Sequence, residues 1–182
     1  MRLGILLGLL AFGCSNGEPS NLQNGSDATA VEASAMYDDL RRMALDMKAG
    51  DLGLDESQQA PFGVLMEIDI DGETATITSF ATGDASLYLS SGGGTIGGGE
   101  HESVATAARR FVDVAAANVS AMTPATTHPR PGPGQVTFYV LTPQGIVSAS
   151  RAEQDLGEVK SDLSDLFYAG QDVLTAIRQL GG

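Results

Sequence analysis

The chain is poor in the residue types that build most catalytic and metal sites. Among 182 residues it has one cysteine, two histidines and no tryptophan, and ten Lys and Arg stand against 23 Asp and Glu. A single cysteine, Cys14, excludes an intrachain disulfide and a cysteine-based metal cluster. His101 and His128 alone leave a thin supply of general bases and ligands. The formal charge of −13 excludes a phosphate-tracking nucleic-acid binder, which needs Lys and Arg to displace counterions. Hydrophobic residues make up 42% of the chain and charged ones 18%, a balance that supports a packed core rather than a disordered chain.

The first stretch of sequence is the most informative. Arg2 precedes residues 3–12, which carry no polar side chain. That run falls well short of the roughly 20 residues a helix needs to cross a bilayer, and it has the length of a signal-peptide core. Ala11-Phe12-Gly13-Cys14 follows and resembles the lipobox of bacterial lipoprotein precursors. The resemblance implies cleavage before Cys14 and acylation of its thiol and new amino group. It implies a lipid-anchored protein of the bacterial cell envelope, attached to the membrane through Cys14. Ser15, where a retention signal would place Asp, points by the same resemblance to the periplasmic face of the outer membrane in a two-membrane cell. An ordinary secretory peptide is the alternative. Residues 15–33 hold hardly a bulky apolar side chain, so 14–33 are expected to form the lipidated cysteine and a disordered tether.

One folded α+β domain is expected over 34–182. Met36, Leu40, Met43 and Met47 recur at helical spacing and predict a core-facing stripe; a methionine-rich partner surface is the alternative. Strands are predicted over 62–70, 73–81 and 85–90, the first two joined by the strong hairpin signal Asp71-Gly72. Val64, Met66, Ile68 and Ile70 should share the core face, with Leu65, Glu67 and Asp69 opposite. A Gly-rich loop over 91–99 leads to a long helix over 100–122, buried through Val104, Ala108, Phe111, Ala115, Val119 and Met122. Residues 123–134 hold four of the seven prolines and read as a connection. Strands over 135–141 and 146–151 form a second hairpin. A last helix over 161–180 buries Leu163, Leu166, Phe167, Gly170, Leu174 and Ile177.

The order α-β-β-β-α-β-β-α predicts a five-stranded antiparallel sheet with helices mainly on one face. That order resembles the fold of type III secretion chaperones, which are also small, acidic and commonly dimeric, so a homodimer stays open. Profilin-like and roadblock-like sheets are the competing topologies, and fold analogy does not assign a function.

Catalytic and cofactor motifs fail one by one. Gly92-Gly93-Gly94-Thr95-Ile96-Gly97 fits G-x-G-x-x-G in form, but Glu100 and Glu102 put negative charge where phosphates would sit. His101-Glu102 begins like a zinc-protease helix, yet Ala105 stands where the second histidine belongs. Glu67, Asp69, Asp71 and Gly72 mimic the start of a calcium loop, but Thr78 replaces its bidentate Glu. No Ser-x-x-Lys pair occurs. The expectation is therefore no catalytic residue, no metal and no cofactor. The function expected is a non-enzymatic protein-binding domain, an immunity or inhibitor-type protein among its forms, whose acidic surface suits a basic partner. The alternative is a small-ligand binder or sensor that uses the sheet face under the Gly-rich loop. In either case Gly92, Gly93, Gly94, Gly97, Gly98 and Gly99 are read as a flexible loop at the edge of the binding surface.

Overall fold

The computed structural model describes residues 23–181. The leader and Cys14 lie outside them. Eleven elements follow one another: α1 (Gln23–Asp46), β1 (Gly63–Ile70), β2 (Glu73–Phe80), β3 (Ala85–Leu89), β4 (Gly94–Thr95), α2 (Glu102–Asn118), β5 (Thr123–Pro124), β6 (Gln135–Thr142), β7 (Gly145–Ala152), α3 (Glu153–Gly157) and α4 (Ser164–Arg178). Short 3-10 turns close several of them.

All seven strands form one antiparallel sheet in the order β4-β3-β2-β1-β6-β7-β5. The expected five strands are the long ones. The other two are two-residue pieces at the sheet edges, drawn from the Gly-rich and Pro-rich stretches that the sequence presents as loops. Pro124 ends the outermost strand, a position where its missing N–H leaves no ladder bond unmade. The Asp71-Gly72 turn joins β1 and β2 with positive φ at both residues, as a tight hairpin of this type requires.

One face of the sheet carries the larger core. Val64, Met66, Ile68, Ile77, Val136, Phe138 and Val140 meet the apolar stripes of α2 and α4. The stripes fall where their periodicity places them, with Phe111, Leu163 and Leu166 fully buried, except that α2 ends before Val119, which is half-buried. Ile70, expected on the core face, is 50% exposed at the end of β1, where the strand runs into the Asp71-Gly72 turn. Gly170 explains its own place in α4. A side-chain carbon there would lie 2.5 Å from Met66 Cε and 3.1 Å from Phe111 Cζ, so the helix can touch the sheet only without one.

Three of the four described helices thus lie on one face, as expected, and α1 covers the opposite face. α1 lies across it and forms a second core through Tyr37, Ala44 and Leu45 against Phe62, Leu65, Phe80, Tyr88, Tyr139 and Leu141. α1 starts at Gln23 rather than near Ser34, so the later part of the expected tether is helix. Its orientation differs from the methionine reading as well. Met36 and Met43 are 66% and 61% exposed, while Tyr37 is buried. A helix with two candidate apolar faces is turned by whichever face meets the stronger demand. Here that demand is a buried carboxylate needing a cation.

Phe111 and Phe138 face each other's layers in the larger core, and both have no exposed surface. Truncating either to Ala should cost about 3–5 kcal/mol, the usual loss for a buried phenylalanine whose site collapses incompletely. Urea unfolding midpoints measure it; an unshifted midpoint would contradict the burial.

Candidate functional site

The seam between α1 and the sheet is polar where the other core is dry. Glu67, on the strand face expected to meet solvent, is fully buried among Thr74, Thr76, Thr78 and Thr137. The pleat sends Leu65, Glu67 and Asp69 to the side opposite Val64 and Met66, as the alternation predicts, but α1 covers that side. One helical turn of α1 separates Tyr37 from Arg41 and puts both on the face turned toward it. Arg41 Nε donates to Glu67 Oε1 at 2.6 Å and Nη2 to Oε2 at 2.9 Å, a two-pronged bond. Thr76 Oγ1 donates to Glu67 Oε1 at 3.3 Å and lies 2.7 Å from the Tyr37 hydroxyl.

The Pro-rich connection closes over this pair as a strap. Arg41 Nη2 donates a further bond to the His128 carbonyl at 2.8 Å, and the Tyr139 hydroxyl donates to the Pro129 carbonyl at 2.5 Å. Arg130 lies over the Tyr37 ring, 4.6 Å from its centre, and pairs with Asp38 of α1 at 2.5 Å. The His128 ring stands edge-on to Tyr139 with centres 5.4 Å apart, and its Nε2 is buried without a partner among the described residues. His101 is exposed at the start of α2, far along the chain from this seam.

Burial pushes the Glu67 carboxyl above the usual carboxylate range, against the downward pull of its Arg41 hydrogen bonds. Burial lowers the Arg41 guanidinium, and bonding to Glu67 more than restores it. Burial and then the Glu67 charge push the Tyr139 phenol up to about 12 and raise Tyr37 also. Glu67 has no solvent exposure, and both of its oxygens accept from Arg41. Its chemistry is that of a fastener between helix, strap and sheet.

Two concavities flank α1. Near its C-terminal end a cleft of about 660 Å³ is lined by Leu45, Phe62, Leu141 and Ile146, with His128 and Gln144 among its polar residues. Along its middle a groove of about 310 Å³ runs between Ala33, Met36 and Leu40 and the hairpin residues Tyr88, Leu89, Gly92 and Gly93.

The Gly-rich run sits at that groove. Gly92 and Gly93 form the β3–β4 turn, Gly94 begins β4, and Gly98 and Gly99 enter a 3-10 turn before α2. The Gly97 N–H donates to Ser86 Oγ at 3.2 Å. Gly94 has φ +141, and a side-chain carbon there would collide with the Leu87 carbonyl across the ladder. The run is therefore a paired edge and two turns, which gives its glycines a conformational reason. Among the described residues no three His, Cys, Asp or Glu side chains gather as a metal site, and no helix is long and apolar enough to cross a membrane. Comparisons with family models, curated proteins and solved structures find no match to the chain.

The sequence reading missed Arg41, Glu67, Tyr37, Tyr139 and the strap residues. One signal was available: a Glu between Met66 and Ile68 in a strand otherwise rich in large apolar side chains. Nothing local identifies its partner, which lies 26 residues away.

Removing one member of the pair leaves a buried charge without compensation. Arg41→Met should therefore cost about 3–5 kcal/mol, whereas Arg41→Met with Glu67→Leu should recover most of that loss. Urea midpoints of the singles and the double decide it, and simple additivity would mean that the two side chains act independently.

The raised phenols give a signed pH dependence. Folding favours their neutral form, so their contribution is complete below about pH 10, the ordinary tyrosine value, and is lost as pH rises through the native values. Phenolate absorbance of the folded chain should show Tyr139 ionising only near 12, a component that Tyr139→Phe removes. Its full appearance near pH 10 in folded protein would refute the buried seam.

Proposed function

We propose that the chain is a lipid-anchored protein of the bacterial cell envelope, held through Cys14, whose domain binds a protein partner without catalysing a reaction. The leader and the Gly13-Cys14 junction support the anchor. The binding half rests on one observation above the others: Met36 and Met43 stand exposed along α1, in a fold whose central strands are covered on both faces. Large apolar side chains grouped on one helix face are what a partner surface offers, and methionine adapts its shape to a partner better than branched residues do. The acidic balance suits a basic partner, as an immunity or inhibitor-type protein would meet. With the central strands covered, α1 offers the larger apolar side chains to a partner.

Expression in a native-like bacterial host tests both halves. The wild-type chain should fractionate with membranes and carry acyl mass on Cys14, and Cys14→Ser should release it. A photo-crosslinking amino acid scanned over exposed positions should give an adduct of one discrete mass, clustered on one surface. An unmodified Cys14 would remove the anchor, and a scan without adducts would remove the partner.

A further inference from the structure

The exposed methionines belong to a longer pattern on α1. Ala33, Met36, Leu40, Met43 and Met47 alternate three and four residues apart, the spacing of a heptad seam. This seam is turned aside from the Tyr37–Arg41–Ala44 row that meets the sheet. Met36 and Met43 are open to solvent, and Leu40 and Met47 are half-buried. Immediately before Ala33, Leu40 and Met47 stand Glu32, Asp39 and Asp46, all exposed. The seam is thus flanked by an acid in each of three successive heptads. Among the described residues, only Asp39 of the three has a cation partner, Arg42 at 2.7 Å.

The groove along the middle of α1 extends the seam inward. Tyr88 and Leu89 supply apolar depth, and the turn at Gly92 and Gly93 forms a low far wall. A side-chain carbon at Gly92 would stand 3.0 Å from the Ala33 Cβ, so glycine there lets hairpin and helix meet while the groove stays open.

We propose that this seam and groove dock an amphipathic helix from a partner protein, apolar on one face and basic along the flank that meets Glu32, Asp39 and Asp46. The assignment rests on the protein-binding reading above and names the partner's chemistry. A helix laid in a groove reads anchors three, four and seven residues apart, which is the spacing α1 presents. Charge selects the occupant. A second copy of this chain would set the same acidic row against itself, and like charges brought together oppose association.

The probe is a fluorescent three-heptad peptide with Leu at each seam position and Lys at the flanking positions; its counterpart carries Glu in place of Lys. Binding is read by anisotropy against the full chain in phosphatidylcholine nanodiscs, with empty nanodiscs as background. The Lys peptide should bind, and the Glu peptide should bind at least about tenfold more weakly. Met36→Asp with Met43→Asp should weaken the Lys peptide about tenfold or more, as loss of central anchors does. Glu32→Lys with Asp46→Lys should weaken it several-fold. The same charge change far from α1, Asp113→Lys with Asp165→Lys, should leave it within about twofold, since distant surface charges are screened.

Circular dichroism checks the fold of each variant. The seam pair and the rim pair are independent, so misfolding of one leaves the other to decide. No binding of the Lys peptide, or equal weakening by the rim pair and the distant pair, overturns the proposal. If crosslinks still form on another surface, the α1 seam falls and the protein-binding reading stands. If no surface crosslinks, both fall.

Discussion

A carboxylate with no solvent exposure at the centre of the sheet constrains everything on the α1 side of the fold. Glu67 needs a cation within the protein, because an isolated buried charge is far too costly to keep. Arg41 supplies it with two bonds, and this fixes the rotation of α1 about its axis. With Arg41 turned inward, Tyr37 one helical turn earlier reaches Thr76, and Ala44 and Leu45 fall onto Phe62 and Leu141. The seam Met36–Met43 is then left outward as a geometric consequence. The same guanidinium holds the strap at the His128 carbonyl, so helix, strap and sheet share one fastening.

A buried pair of this kind is a poor source of net stability, because desolvating two charges offsets most of their attraction. Its value lies in specifying one arrangement over others. An apolar seam could have let α1 roll, since the helix carries apolar residues on two faces. A two-pronged bond to a single carboxylate admits one rotation only. The larger core needs no such device: α2 and α4 each have one stripe, and Gly170 over Met66 sets the distance of approach.

These contrasts explain what was legible in the sequence. Elements with a single apolar period were read correctly, down to Phe111, Phe138 and the close approach at Gly170. The Asp71-Gly72 hairpin was equally plain, because its turn chemistry is local. The two edge strands were missed because each contributes two residues, one pair beginning with glycine and the other ending in proline, and backbone pairing rather than side-chain pattern makes them strands. The rotation of α1 was missed for a different reason. Helical periodicity shows which residues share a face, but it does not show which of two faces a distant acid will recruit. Glu67 was placed on the right side of β1; what the pattern could not supply was the helix covering that side.

The position of α1 also joins the two halves of the functional reading. Cys14 precedes Gln23 by few residues, so under the lipoprotein reading the helix that presents the methionine seam is the element nearest the anchor. An acidic row gains nothing from an anionic bilayer, whose potential repels it within a Debye length. A membrane surface is therefore a poor occupant for the seam, however close the anchor brings it. A basic helix meets the same row favourably and still finds the apolar seam beside it. Under the proposed reading, charge thus separates the membrane that would hold the chain from the helix the chain would dock.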